Sequence, residues 1–233
     1  MRSKRWLKIW QSKGDNLKDF NITDVISVHG FDSTVGFDKK TWFKYISDKI
    51  GYIKLNKNSN ILEYGCGAGA FLSFFYKKKY NLYGIDYSKN LIKKAKIIFP
   101  KITFKIGDFK KINLFKKKFD TIFSNSVFQY FNNIKYANLV LLKMLSMLKP
   151  KGQIMILDIP DKDKEKKNKK DLIKILGKKN YINKYKKTNH LFYKKSFFVK
   201  IAKKHNLKIK IFDQNMKSYN NSKYRFNVLF KKN

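Results

Sequence analysis

Cysteine is almost missing from this chain: Cys66 is the only one in 233 residues. A lone thiol excludes an internal disulfide and fits a reducing compartment. Arginine is nearly as scarce, with Arg2, Arg5 and Arg225 the only three among 54 cationic residues. Acids number 16, which leaves a formal net charge of +38. An excess of this size raises the question of nucleic acid, because clustered cations gain from counterion release on phosphates. Its make-up argues the other way. Phosphate and base-edge recognition leans on arginine's planar fork. Here lysines carry the charge in short scattered runs, such as Lys77-Lys78-Lys79 and Lys116-Lys117-Lys118, among the Asn, Ile, Phe and Tyr that AT-rich coding favours. Nucleic acid stays open as a partner, but solvated faces are the favoured reading.

Long hydrophobic runs are also absent. The greasiest stretch, Leu139 to Leu148, is interrupted by Lys143 and is too short to span a bilayer. The basic start, Met1 to Trp10, runs into Gln11-Ser12-Lys13-Gly14-Asp15-Asn16 with no apolar signal-peptide core behind it. The expectation is a cytoplasmic protein with no membrane span. A hydrophobic fraction of 43%, with 16% aromatics, is ample for a buried core and excludes global disorder.

What is present is an alternation of strands and helices. Phe37 to Ile50 carries apolar residues at helical spacing. Ile61 to Tyr64 is a short apolar strand that stops at glycines, and Ala70 to Tyr76 reads as the helix after it. Tyr80 to Asp86 is a second strand ending in an acid; Ser88 caps the next helix, and Pro100 ends it. Strands follow at Ile102 to Ile106, Phe119 to Ser124 and Gln153 to Ile159, with a helix from Asn133 to Leu148. The highly charged stretch Asp161 to Lys170 is expected to be an exposed loop. The tail gives a helix near Ser196 to His205, then strands at Leu207 to Phe212 and Arg225 to Phe230.

Repeated β-α-β units imply an α/β fold with a mostly parallel sheet and helices on both faces. The last two strands suggest a hairpin with one antiparallel member. We expect residues 1–52 to form a helical N-terminal lid, and residues 53–233 to form the main domain with a charged insertion near 161–190.

Ligands of such sheets bind beyond the carboxyl ends of the strands, and four features fall there. Gly65, Gly67 and Gly69 permit a tight turn and a close backbone approach to a ligand. Glu63 precedes them, placed to accept from an ammonium group or to orient the loop. Asp86, roughly 20 residues beyond the glycines, is placed to grip both hydroxyls of a ribose. Asp108 beside Phe109 suits an adenine amino group and ring face, and Ser124-Asn125-Ser126 ends the fourth strand.

With these residues in order, the chain resembles the class I S-adenosylmethionine-dependent methyltransferases. Glu63-Tyr64-Gly65-Cys66-Gly67-Ala68-Gly69 is similar to that family's first motif and Gly84-Ile85-Asp86-Tyr87-Ser88 to its second. Ile106-Gly107-Asp108-Phe109 is similar to the third, and Phe119-Asp120-Thr121-Ile122-Phe123-Ser124-Asn125 to the fourth. Leu148-Lys149-Pro150-Lys151-Gly152 also fits, so the likeness covers about residues 60 to 160. The resemblance implies a Rossmann-like seven-stranded sheet with an antiparallel last strand and S-adenosylmethionine as cofactor. It further implies that Gly65, Gly67 and Gly69 line the methionine part, that Asp86 binds the ribose, and that Asp108 and Phe109 border the adenine. Tyr87 and Asn125, inside the second and fourth motifs, complete the implied cofactor set.

Gly65, Gly67, Ala70 and Asp86 would also satisfy a relaxed dinucleotide fingerprint, which is weak by itself. Against it stand the sixty residues before the first strand, Glu63 ahead of the glycines, and Gly107-Asp108, which has no counterpart there.

Methyl transfer from a sulfonium needs alignment above all, and a base only where the acceptor must lose a proton. The fourth strand ends in Ser124-Asn125-Ser126-Val127-Phe128-Gln129-Tyr130, without an Asn-Pro-Pro-Tyr-like segment, which resembles the family's small-molecule branch. The expected partner is therefore a small-molecule acceptor, methylated on an oxygen or nitrogen of a small metabolite or sugar; the alternative is an RNA acceptor held by the lysine-rich surface. His29 in the expected lid and His190 after the charged insertion are candidate bases, with Tyr130 a candidate for orienting the acceptor. His205 reads as a capping or solvated residue. Arg225, an arginine in a lysine-rich chain, suggests a planar contact with either an acidic acceptor or an internal carboxylate. No metal site is expected.

Overall fold

The computed structural model describes residues 2–15, 17, 21–27, 38–107, 115–185, 189–216 and 219–233. Seven strands form one sheet: β1 (Asn60–Tyr64), β2 (Asn81–Asp86), β3 (Thr103–Ile106), β4 (Phe119–Asn125), β5 (Leu148–Pro160), β6 (Leu207–Asp213) and β7 (Arg225–Lys232). Their order is β3-β2-β1-β4-β5-β7-β6, and only β7 runs against its neighbours. The order reverses direction between β1 and β4, which opens a crevice at their carboxyl ends.

Among the described residues eight α-helices accompany the sheet: α1 (Arg2–Asp15), α2 (Ile22–Ser27), α3 (Lys39–Ile50), α4 (Lys89–Ile98), α5 (Ile134–Ser146), α6 (Glu165–Leu176), α7 (Lys178–Tyr185) and α8 (Lys195–Lys204). Alternate residues of each strand face opposite layers. Ile61, Phe123, Met155 and Leu157 meet Trp42, Tyr45 and Ile46 of α3 and Leu91, Ile92 and Ala95 of α4. Leu62, Tyr64, Ile122, Ile154 and Ile156 meet Ala137, Val140, Leu141 and Met144 of α5 and Phe198 of α8. Side-chain caps start four helices: Asn21 accepts from Asp24 N at 3.0 Å, Asp38 from Thr41 N at 2.7 Å, Ser88 from Leu91 N at 3.4 Å, and Asn133 from Tyr136 N at 2.8 Å.

Two expectations change. The segment after the glycines is a single 3-10 turn, Leu72–Phe75, rather than a helix from Ala70 to Tyr76. The Ala70 carbonyl is taken by Trp42 Nε1 at 2.9 Å and Ser73 Oγ at 2.7 Å, so it is engaged by side chains where an α-helix would begin. The charged stretch after β5 is also not a loop. A 3-10 turn at Lys162–Lys164 leads into α6, and α7 follows. Asp161 Oδ1 accepts from Asp163 N at 3.1 Å to start the turn, and lysine is a good helix former when its ammonium stays in water. Gly177, with φ at +77°, ends α6.

α1 lies against α4. Asn90 Nδ2 donates to Asp15 Oδ1 at 2.8 Å, and a Cβ on Gly14 would stand 2.9 Å from Leu91 N, so the approach depends on glycine. No helix among the described residues is long and apolar enough to cross a membrane.

Candidate functional site

The glycine loop is held from both sides. Gly65 N and Cys66 N both donate to Ile85 O, at 2.8 and 3.1 Å, which ties the end of β1 to the end of β2. Gly65, Gly67 and Gly69 have φ of +79°, +52° and +88°, a region that L side chains avoid. At Gly65 a Cβ would come within 2.4 Å of Val127 Cγ2. Glycine at 65 is therefore required both by its left-handed backbone and by the close packing of Val127.

Asp86, the last residue of β2, closes this turn. Its Oδ2 accepts from Gly67 N at 2.9 Å and its Oδ1 from Ser88 N at 2.8 Å. Each carboxylate oxygen keeps a further lone pair for a ligand hydroxyl. Burial pushes the Asp86 carboxyl up from 3.8 to about 6, against the lowering effect of the backbone N–H groups of Ser88, Gly67 and Tyr87. Tyr87 is half-buried, and burial raises its phenol, with Asp86 next in effect.

Glu63 is fully buried, and no side chain pairs with either carboxylate oxygen among the described residues. Burial pushes it well above the usual carboxylate range and Asp86 adds to this, while the backbone N–H of Leu72 draws it back in part. An unpaired buried acid is costly unless a donor meets it. An ammonium group of a ligand in the glycine loop would supply that donor, so these residues fit the amino-acid end of S-adenosylmethionine. Asp108, Phe109 and His29 lie outside the described residues.

Asn125, at the end of β4, accepts from Tyr45 OH at 3.0 Å, and Gln214 Nε2 donates to that hydroxyl at 3.2 Å. Asn125 is thus joined to α3 and to the segment after β6. Tyr130 and His190 come together although they are distant in sequence: their rings are 5.6 Å apart, edge to face. Trp6 of α1 stacks on His190 at 5.7 Å and meets Tyr130 at 4.5 Å; Trp10 and Tyr185 border the same group. The backbone bond from Leu191 N to Gln129 O, 2.9 Å long, holds the two segments in register. His205 is exposed at the end of α8.

Arg225 is buried and faces an internal carboxylate, Asp158, with Nε 3.8 Å from Oδ1. Sequence reasoning did not assign Asp158 a role. It is 1% exposed, has φ of +61°, and sits where the β5–β7 register slips between Ile156 and Ile159. Such a bulge turns a side chain out of the ladder. Ser126 Oγ donates to its Oδ2 at 2.7 Å, Tyr219 OH approaches the same oxygen at 3.4 Å, and Asp158 N donates to Asn227 Oδ1 at 3.0 Å. The available signal was an acid inside the apolar run Ile154 to Ile159. Among the described residues, no three His, Cys, Asp or Glu side chains are grouped to hold a metal.

A sheet with one reversed strand, a glycine turn after β1 and an acid closing it from β2 define the class I methyltransferase fold, whose cofactor is S-adenosylmethionine. The chain matches the family described as "Methyltransferase domain" over residues 55–220, and it belongs to that family. A putative methyltransferase of Invertebrate iridescent virus 6 is 29% identical over 109 residues, 45% of this chain and 40% of the relative. A malonyl-[acyl-carrier protein] O-methyltransferase of Priestia megaterium is 30% identical over 104 residues, 43% of this chain and 36% of the relative. The matches thus span well under half the length of these curated relatives. Among solved structures, magnesium protoporphyrin IX methyltransferase of Synechocystis, with bound S-adenosylhomocysteine, is similar with a TM-score of 0.67. It is 15% identical, and the likeness covers 100% of both chains. Phosphoethanolamine N-methyltransferase 1 of Haemonchus contortus, in complex with phosphoethanolamine and S-adenosylhomocysteine, also gives 0.67, at 15% identity over 99% of this chain and 48% of that one.

Proposed function

We propose that this protein transfers the methyl group of S-adenosylmethionine to an oxygen or nitrogen of a small molecule. The observation that carries the reading is Glu63, buried with no side-chain partner beside a glycine loop that Asp86 closes. Glu63 would take the ammonium group of the donor, Gly65 to Gly69 its methionine portion, and Asp86 its ribose; Asp108 and Phe109 are proposed for the adenine. Tyr87 and Asn125 are proposed to border the same ligand. When bound, the donor supplies an electrophilic methyl group on a sulfonium centre. What remains for the chain is to orient the acceptor and exclude water. His190 and Tyr130 are proposed to face the acceptor, under a lid that includes α1. The small-molecule acceptor is supported by the relatives and neighbours, whose names give malonyl-carrier, porphyrin and phosphoethanolamine substrates.

Calorimetry with S-adenosylhomocysteine tests the reading. The wild-type protein should bind it, and Asp86→Ala should lose that binding. Absence of binding to the folded wild type would overturn the proposal.

A further inference from the structure

The polar group at the carboxyl ends of β4 and β5 has unused capacity of a particular kind. Asp158 Oδ1, Gln129 Oε1 and Arg225 Nη1 are buried and make no close hydrogen bond among the described residues, although the Gln129 side chain lies near enough to Asp158 to help hold its carboxyl down. Their side chains are 1%, 3% and 3% exposed as residues. Arg225 Nε lies 3.8 Å from Asp158 Oδ1, beyond hydrogen-bond reach, while Asp158 Oδ2 is occupied by Ser126 and Tyr219. Folding does not leave such atoms unmet without cost, and they cluster where a ligand is expected to complete them.

We propose that these three side chains form the acceptor-recognition subsite, and that it takes a small carboxylic acid carrying a hydroxyl group. The acid's carboxylate accepts from Arg225 Nη1, and its hydroxyl donates to Asp158 Oδ1 or Gln129 Oε1. This rests on the methyltransferase reading above and gives it a substrate class.

Three features select that class. The unpaired set is one cationic donor and two acceptors, the complement of an anionic oxygen beside a hydroxyl. A carboxylate alone would meet repulsion from Asp158, which a hydroxyl proton directed at Oδ1 offsets. The chain's net charge of +38 also draws anions towards its clefts. Ser126 (φ +55°) and Asp158 (φ +61°) both hold a backbone conformation that L side chains rarely adopt, beside this group.

Binding by calorimetry to protein saturated with S-adenosylhomocysteine tests the proposal, with glycerate and glucuronate as hydroxy-acid probes. Glycerol and glucose serve as uncharged counterparts, and propionate as an acid without a hydroxyl. Glycerate or glucuronate should bind about tenfold or more tightly than its uncharged counterpart, and which of the two binds distinguishes a short hydroxy acid from a sugar acid. Arg225→Gln should abolish that preference while leaving S-adenosylhomocysteine affinity in place. Asp158→Asn should reduce the preference for glycerate over propionate. Where Arg225→Gln fails to fold because Asp158 is left unpaired, the double variant Asp158→Asn/Arg225→Gln removes both charges and carries the same expectation. The proposal is overturned if neither acid binds to the loaded protein, if acids and uncharged counterparts bind alike, or if acid binding survives in the double variant. Failure to bind S-adenosylhomocysteine at the outset would instead overturn the methyltransferase reading itself.

Discussion

Asp86→Asn separates the two demands placed on one carboxylate. In the wild type, burial raises the group from 3.8 to about 6. That rise corresponds to about 3 kcal/mol of folding free energy. The folded-state value lies above the unfolded one, so this stability is fully present below about pH 4 and is lost as pH rises through about 6. Asparagine has no charge to desolvate, but its single oxygen can accept from only one of Gly67 N and Ser88 N, which costs about 1–3 kcal/mol. The two effects nearly cancel at neutral pH. Chemical denaturation should therefore find Asp86→Asn about as stable as the wild type near pH 7, and less stable near pH 4. Ligand binding should behave differently. Ribose hydroxyls donate best to the ionised acid, so wild-type affinity for S-adenosylhomocysteine should rise as pH passes through about 6 and level off above it. The asparagine variant should bind about tenfold or more weakly at neutral pH and lack that step. Glu63, which burial also raises, can contribute a second step, and Glu63→Gln in the same background isolates it. Unchanged binding in Asp86→Asn would refute the assignment of Asp86 to the ribose.

Glu63→Met should stabilise the ligand-free protein by about 1–3 kcal/mol, because it removes a buried acid with no side-chain partner, yet weaken S-adenosylhomocysteine binding; thermal melts and calorimetry on one preparation check both. Gly65→Ala should cost at least about 2 kcal/mol in denaturant unfolding, from left-handed strain plus the 2.4 Å approach to Val127 Cγ2. Adding Val127→Ala should recover the contact part and leave the strain. Trp42→Phe removes the bond to Ala70 O and should cost about 1 kcal/mol, read as a lower midpoint of unfolding. His190→Ala and Tyr130→Phe should raise KM for the acceptor while leaving S-adenosylhomocysteine affinity unchanged; equal loss of both would place these residues at the donor instead.

The strand–helix order and the glycine turn were legible because they rest on local signals: apolar runs of strand length, glycines at alternate positions, and an acid ending the second strand. What escaped was set by distant partners. The Ala70 carbonyl is claimed by Trp42, 28 residues earlier, and no window around Ala70 contains that competitor. The lysine-rich stretch after Asp161 has no apolar periodicity strong enough to mark a helix, yet its lysines tolerate one. Asp158 acquires its meaning from Ser126, Tyr219, Asn227 and Arg225, which β4, β7 and the segment between β6 and β7 bring around it. Arg225 was recognisable as unusual from composition, but its facing carboxylate became visible only once β5 and β7 were paired.

The sheet ends at β6, which pairs with β7 on one side and leaves a row of backbone donors and acceptors along the other. Such a row invites growth by strand addition. On β6 the exposed positions are Lys208, Lys210 and Asp213, alternating with the half-buried Leu207, Ile209 and Ile211. Two copies meeting edge to edge would press these lysines against one another, and the chain's overall charge would oppose the approach even earlier. The lysines that the sequence suggested lie on solvated faces thus set like charges along this edge, an arrangement that disfavours pairing with a second strand.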